Sequence, residues 1–219
     1  MAAESFEGVS DQSTNVSQSV AIPGRRDVRG SLDEPAGTDP TACVVACPPH
    51  PRMGGSRSDR RLTAVADALA DRGLACLRFD YGEWDEGRGE LRDTRAALDW
   101  AGERYDDTAL FGYSFSGCLA LVAAAGQRTD AGPEVAAVSA LAPPARIGGD
   151  VDAVAAVGGI DCPGQVVYGS RDETADTAPV VERARERGFA VTELAADHHF
   201  VGQAEKAARV VADFFEGRL

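Results

Sequence analysis

Apolar and polar positions along the chain change period several times, and each change marks an element. Val16, Val20 and Ile22 recur at even spacing, Pro23-Gly24 supplies a turn, and Val28, Gly30 and Leu32 alternate again. Alternation with period two places one face on a core, so this stretch predicts a β-hairpin at a sheet edge. Ala42 to Ala46 is a continuous apolar run, the pattern of a strand buried on both faces. Next, Leu62, Val65, Ala66 and Leu69 share one face of a helix predicted over 59–72, which Gly73 ends. A strand over 74–79, a glycine-rich acidic loop over 80–90 and a helix over 91–105 follow. Then come a strand over 108–111, a small-residue helix over 118–125 and a strand over 135–141. Beyond a Pro/Gly-rich stretch, a strand (165–168), a helix (178–187), a strand (191–194) and a last helix (203–216) complete the pattern. Strands and helices that alternate after a leading hairpin predict one α/β domain with a mostly parallel, doubly wound sheet. Its expected bounds are 14–219, with residues 1–13 too polar to join it.

Composition narrows the function classes. No apolar run approaches the ~18 residues of a membrane span, and the polar, acidic N-terminus does not read as a secretory signal. The net charge of −13 argues against nucleic acid or an anionic membrane as partner. Of the 22 basic residues, Lys206 is the single lysine. Acidic surfaces nearly free of lysine are similar to those of proteins from the high-salt cytoplasm of halophilic archaea. A GC-rich genome, which favours Arg and Asp codons, is the rival explanation. The five cysteines (43, 47, 76, 118 and 162) form no CxxC pair and read as small buried hydrophobes of a reducing, cytoplasmic compartment.

The candidate chemistry sits in four loops that follow strands, where open α/β sheets gather their functional groups. Gly112-Tyr113-Ser114-Phe115-Ser116-Gly117 joins a strand to a helix through a serine flanked by small residues, the pattern of a nucleophile elbow. Such a turn places the helix N-terminus, with its free amides, beneath the hydroxyl. Asp172 lies in Gly169-Ser170-Arg171-Asp172-Glu173, and His198 in Ala196-Asp197-His198-His199-Phe200. The order Ser, Asp, His suits acyl transfer. A serine hydroxyl needs a base to take its proton, and that base needs a carboxylate to fix its tautomer. Phe115 N–H, first after the serine, is one candidate oxyanion donor. The fourth loop, residues 48–55, supplies the other; Pro51 has no N–H, which leaves Arg52, with Met53 as the alternative. Asp176 or Glu173 are alternatives to Asp172, and His199 to His198.

These segments resemble the dienelactone-hydrolase-like group of small α/β-hydrolases, through the PHPxxGG, GYSFxG, GxxDE and ADHxF patterns, over roughly residues 15–219. The resemblance implies an eight-stranded sheet, Ser114 as nucleophile, Asp172 as acid and His198 as base. Ser116 stands where the group usually has glycine, and His199 where it often has phenylalanine. Dienelactone hydrolases proper use cysteine, so serine points to esterase-like chemistry on a small ester or thioester, with no cofactor. A peptidase acting on acyl-peptides and a catalytically silent binding module are the other readings.

Three smaller expectations complete the reading. His50 stabilises its loop. The three histidines do not make a zinc site, because adjacent His198 and His199 do not easily point at one metal. Gly54-Gly55-Ser56 lacks the lysine and spacing of a nucleotide-binding loop. The ~23 residues between the strands at 135–141 and 165–168 are too few for a large lid domain. An open, shallow pocket is therefore expected, with Met53, Tyr81, Trp84 and Tyr113 as walls, in a monomer or homodimer.

Overall fold

The strand Ala42–Cys47 (β3) is buried along its whole length, as its unbroken apolar run requires. Its side chains alternate between two cores. Ala42, Val44 and Ala46 face one; Cys43, Val45 and Cys47 face the other. A computed structural model of the chain describes residues 15–24, 26–126 and 134–219; the segment 1–13, expected to lie outside the domain, falls outside these.

The hairpin Asn15–Ile22 (β1) and Val28–Pro35 (β2) lies at one edge, paired antiparallel, and β2 pairs antiparallel with Ala75–Asp80 (β4). All further pairings run parallel, through β3, Asp107–Tyr113 (β5), Val135–Leu141 (β6), Gly164–Gly169 (β9) and Ala190–Leu194 (β10). The eight strands stand in the order β1-β2-β4-β3-β5-β6-β9-β10. Helices Arg60–Ala70 (α1) and Ala204–Glu216 (α6) cover one face. Arg88–Gly102 (α2), Phe115–Ala125 (α3), Ala153–Val157 (α4) and Ala178–Glu186 (α5) cover the other. Each large side chain fully buried here, such as Phe215 of α6 or Leu98 of α2, contributes about 1.5–3 kcal/mol.

Two differences from the sequence reading bear on the site. Helix α2 begins three residues earlier than expected, because the Glu90 carboxylate accepts from the Asp85 and Gly87 amides and closes its first turn. The Pro/Gly-rich stretch after β6 is not plain loop. Arg146–Ile147 (β7) and Val151–Asp152 (β8) pair as a short hairpin, turned through Gly148 at φ +56°, and α4 follows. This hairpin is a flap over the carboxyl ends of the central strands.

All five cysteines are unpaired; Cys43, Cys47, Cys76 and Cys118 are fully buried and Cys162 partly so. Among the described residues, no helix is long and apolar enough to cross a membrane.

Candidate active site

Strand β5 ends at Tyr113 and α3 starts at Phe115, so Ser114 alone makes the turn. It does so at φ 57° and ψ −120°, a conformation costly for a residue with a Cβ. The surroundings hold it there. Ser114 N–H donates to Leu141 of β6 at 2.8 Å, and its carbonyl accepts from Gly117 N–H at 2.8 Å. Gly112 is required by packing, since a Cβ there would lie 2.1 Å from the Ser116 carbonyl oxygen. Ser116 is more than a small residue. Its buried hydroxyl accepts from Tyr113 N–H at 2.9 Å and donates to the Cys47 carbonyl at 2.7 Å, tying the turn to β3.

The loops after β9 and β10 bring two partners to this turn. Ser114 Oγ lies 2.8 Å from His198 Nε2, and His198 Nδ1 lies 2.7 Å from Asp172 Oδ2. That geometry assigns the proton of a neutral His198 to Nδ1, leaving Nε2 to accept from the hydroxyl. The other oxygen of Asp172 accepts from Thr174 and Ala175 N–H at 2.9 and 3.1 Å, which fixes the carboxylate. The His198 carbonyl accepts from the Tyr113 hydroxyl at 3.0 Å. Burial pushes the Tyr113 phenol up to about 12, so it remains a donor. Asp172 and His198 are nearly buried, whereas His199 is exposed, its ring set edge-on to His198 at 5.4 Å.

Phe115, as the first residue of α3, has an amide with no carbonyl one turn back to receive it. The two loop amides expected to serve as second donor are already bonded. Arg52 N–H donates to His50 Nδ1 at 3.2 Å, and Met53 N–H to the His50 carbonyl at 3.0 Å. His50 in turn stacks on Trp84 at 4.5 Å and leans on Phe115 at 4.8 Å. The Gly54 and Gly55 amides bond to Pro51 and His50 carbonyls, so this turn offers no phosphate cradle. Among the described residues, no three His, Cys, Asp or Glu groups are arranged to hold a metal ion.

Comparison with known proteins gives the same architecture. No protein-family model matches the chain. An uncharacterized protein of Rickettsia prowazekii is 28% identical over 118 residues, 49% of this chain and 48% of that protein, so the match spans about half of the relative. An α/β serine hydrolase homologue from Coxiella burnetii superposes with TM-score 0.76 at 25% identity, covering 90% of this chain and 96% of its own. A lid-less α/β serine hydrolase from Xanthomonas campestris gives 0.78 at 23% identity, covering 93% and 95%. The fold is that of the α/β-hydrolases. A dienelactone hydrolase of Anabaena variabilis shares this hydrolase fold with TM-score 0.67 and 21% identity, over 94% of this chain and 99% of its own.

Above Ser114 lies a cleft of about 420 Å³. Met53, 82% exposed, stands at its rim, and Tyr113 lies in its floor. Tyr81 and Trp84 do not line it, against expectation. Tyr81 packs edge-on to Phe79 and Phe115, and Trp84 lies behind His50, so both support the wall from the rear. Pro144 and the flap residues Arg146 and Ile147 also line the cleft. Sequence reasoning missed Asp59 and Arg61. Asp59 caps α1 and holds Arg61, whose guanidinium lies 4.6 Å from the Tyr113 ring centroid. The signal was available: α1 follows the 48–55 loop, so its N-terminus must open at the carboxyl end of β3.

Proposed function

We propose that this chain is a serine hydrolase that cleaves a small ester or thioester through an acyl-enzyme. Ser114 is the nucleophile, His198 the general base and acid, and Asp172 the carboxylate that orients and stabilises the imidazolium. One observation carries the reading: the unbroken chain of 2.8 and 2.7 Å hydrogen bonds from Ser114 through His198 to Asp172. Ser114 Oγ attacks the carbonyl carbon as its proton passes to His198 Nε2, and the carbonyl π electrons move onto oxygen. The intermediate collapses, re-forming the carbonyl and expelling an alkoxide or thiolate that takes the Nε2 proton. Water repeats both steps on the acyl-enzyme.

The oxyanion is received by Phe115 N–H and, as second donor, by Arg52 N–H. The 3.2 Å bond from Arg52 to neutral His50 is long, and a charged acceptor is the stronger partner. The same reading places the protein in a salt-rich cytoplasm, supported by the −13 charge, the single lysine and five unpaired thiols.

A fluorophosphonate, which mimics the tetrahedral charge, is expected to label the protein once, on Ser114, and short-chain aryl esters to be hydrolysed. Ser114→Ala abolishes both, and His198→Ala lowers kcat by several orders of magnitude while His199→Ala keeps most of it. Folded wild-type protein that takes up no label and turns over no ester would falsify the reading and leave a binding module in its place.

A further inference from the structure

A second cavity, of about 430 Å³, adjoins the Ser114 cleft, and His50 and Ile147 line both. Its other walls are Trp84, Glu86, Arg88 at the start of α2, and Gly148, Gly149 and Asp150 at the tip of the flap. The strand order fixes where it lies. Loops after β3 and β4 stand on one side of Ser114, and loops after β9 and β10 stand on the other. His50 and Trp84 belong to the first side; His198 and Asp172 belong to the second.

We propose that this cavity is the distal acyl subsite, that Ile147 is the partition controlling access to it, and that it takes medium-length acyl groups with a polar far end. The inference rests on the acyl-transfer reading. His198 Nε2 must hand its proton to the leaving group, so the leaving group occupies the β9/β10 side of Ser114. The acyl chain is then directed to the opposite side, where the second cavity opens. Ile147 packs against the Gly87 turn: its Cγ2 lies 3.3 Å from where a Cβ on Gly87 would stand, so glycine there lets the flap approach closely. Arg88 reaches Glu86 at 2.8 Å and Asp150 at 3.5 Å, so ionic groups spanning loop and flap ring the far end. These side chains are 55–72% exposed, so the far end stays open to water, where an acyl tail ending in a hydroxyl keeps its hydration and a purely aliphatic tail gains little burial.

The test is an ester series with one leaving group, p-nitrophenyl acetate to decanoate, together with p-nitrophenyl 8-hydroxyoctanoate, on the full chain and its Ile147→Ala and Ile147→Trp variants. Ile147→Ala is expected to raise the octanoate-to-acetate ratio of kcat/KM about tenfold, and Ile147→Trp to lower it about as much. The hydroxylated octanoate is expected to exceed octanoate in the parent protein. Ratios within about twofold of the parent in both variants overturn the subsite. Absence of any hydrolysis or fluorophosphonate labelling in the parent instead overturns the acyl-transfer reading, and the subsite with it.

Discussion

His50 shows how one side chain can serve a loop rather than a reaction. Burial, and then the nearby Arg52 cation, lower its pKa from the ordinary 6.5, so folding favours the neutral ring that accepts from Arg52 N–H. The unfolded chain therefore binds more protons than the folded one below about pH 6.5, and stability falls as pH drops through that window. Melting temperatures measured from about pH 7.5 to about pH 5 should decline more steeply for the parent than for His50→Gln. Equal slopes would show that the ring is free to protonate in the fold. Ser116 teaches a related lesson. Its size was legible in the sequence, but its two buried hydrogen bonds were not, because they depend on where β3 ends relative to the turn.

The hairpin connection offers an element-scale counterpart. Arg26, between β1 and β2, reaches Asp93 of α2 at 2.8 Å and also bonds the Glu83 carbonyl in the acidic loop. Asp93 and Glu90 are buried, and burial raises the Asp93 pKa despite its partners. Arg26→Ala leaves these carboxylates without their cation. It should cost about 3 kcal/mol in denaturant unfolding, at the low end for a broken buried pair because the guanidinium keeps some solvent contact. A loss below about 0.5 kcal/mol would mean that water replaces the cation. Elements with a long period were read correctly from sequence: β3, β6 and α6 fall within a residue or two of expectation. The flap was not legible, since strands of two residues carry no period and Gly148-Gly149 reads as loop. Trp84 and Tyr81 follow a strand end in the sequence, yet which way they turn is decided by their packing on His50 and Phe115.

For the molecule as a whole, charge is the dominant long-range term. The arginines form many surface ion pairs, but exposed pairs contribute little each. Excess negative charge of 13 units is left to repel itself. Salt shortens the screening length from ~10 Å at 0.1 M to ~3 Å at 1 M, so repulsion fades faster than the close pairs do. The melting temperature should rise between about 0.1 M and about 2 M KCl, and a flat profile would remove the support for a salt-rich habitat.

The sealed thiols turn the same molecule into its own recorder of breathing motions. Burial pushes Cys47 and Cys118 up to about 12, and no thiolate is exposed on β3, β4 or α3 for a reagent to find. Alkylation of these positions therefore waits for a local opening, at a rate set by how often that opening occurs. Under native conditions a maleimide should modify Cys162, the partly exposed thiol, first. Mass spectrometry of the slower adducts would then rank, position by position, the opening free energies of the sheet centre against those of the helix that carries the serine turn. Prompt modification of Cys43 or Cys76 would mean that the sheet centre opens far more readily than its packing implies. Three thiols in the sheet and one in the helix after the serine turn thus permit a map of opening with no engineered probe.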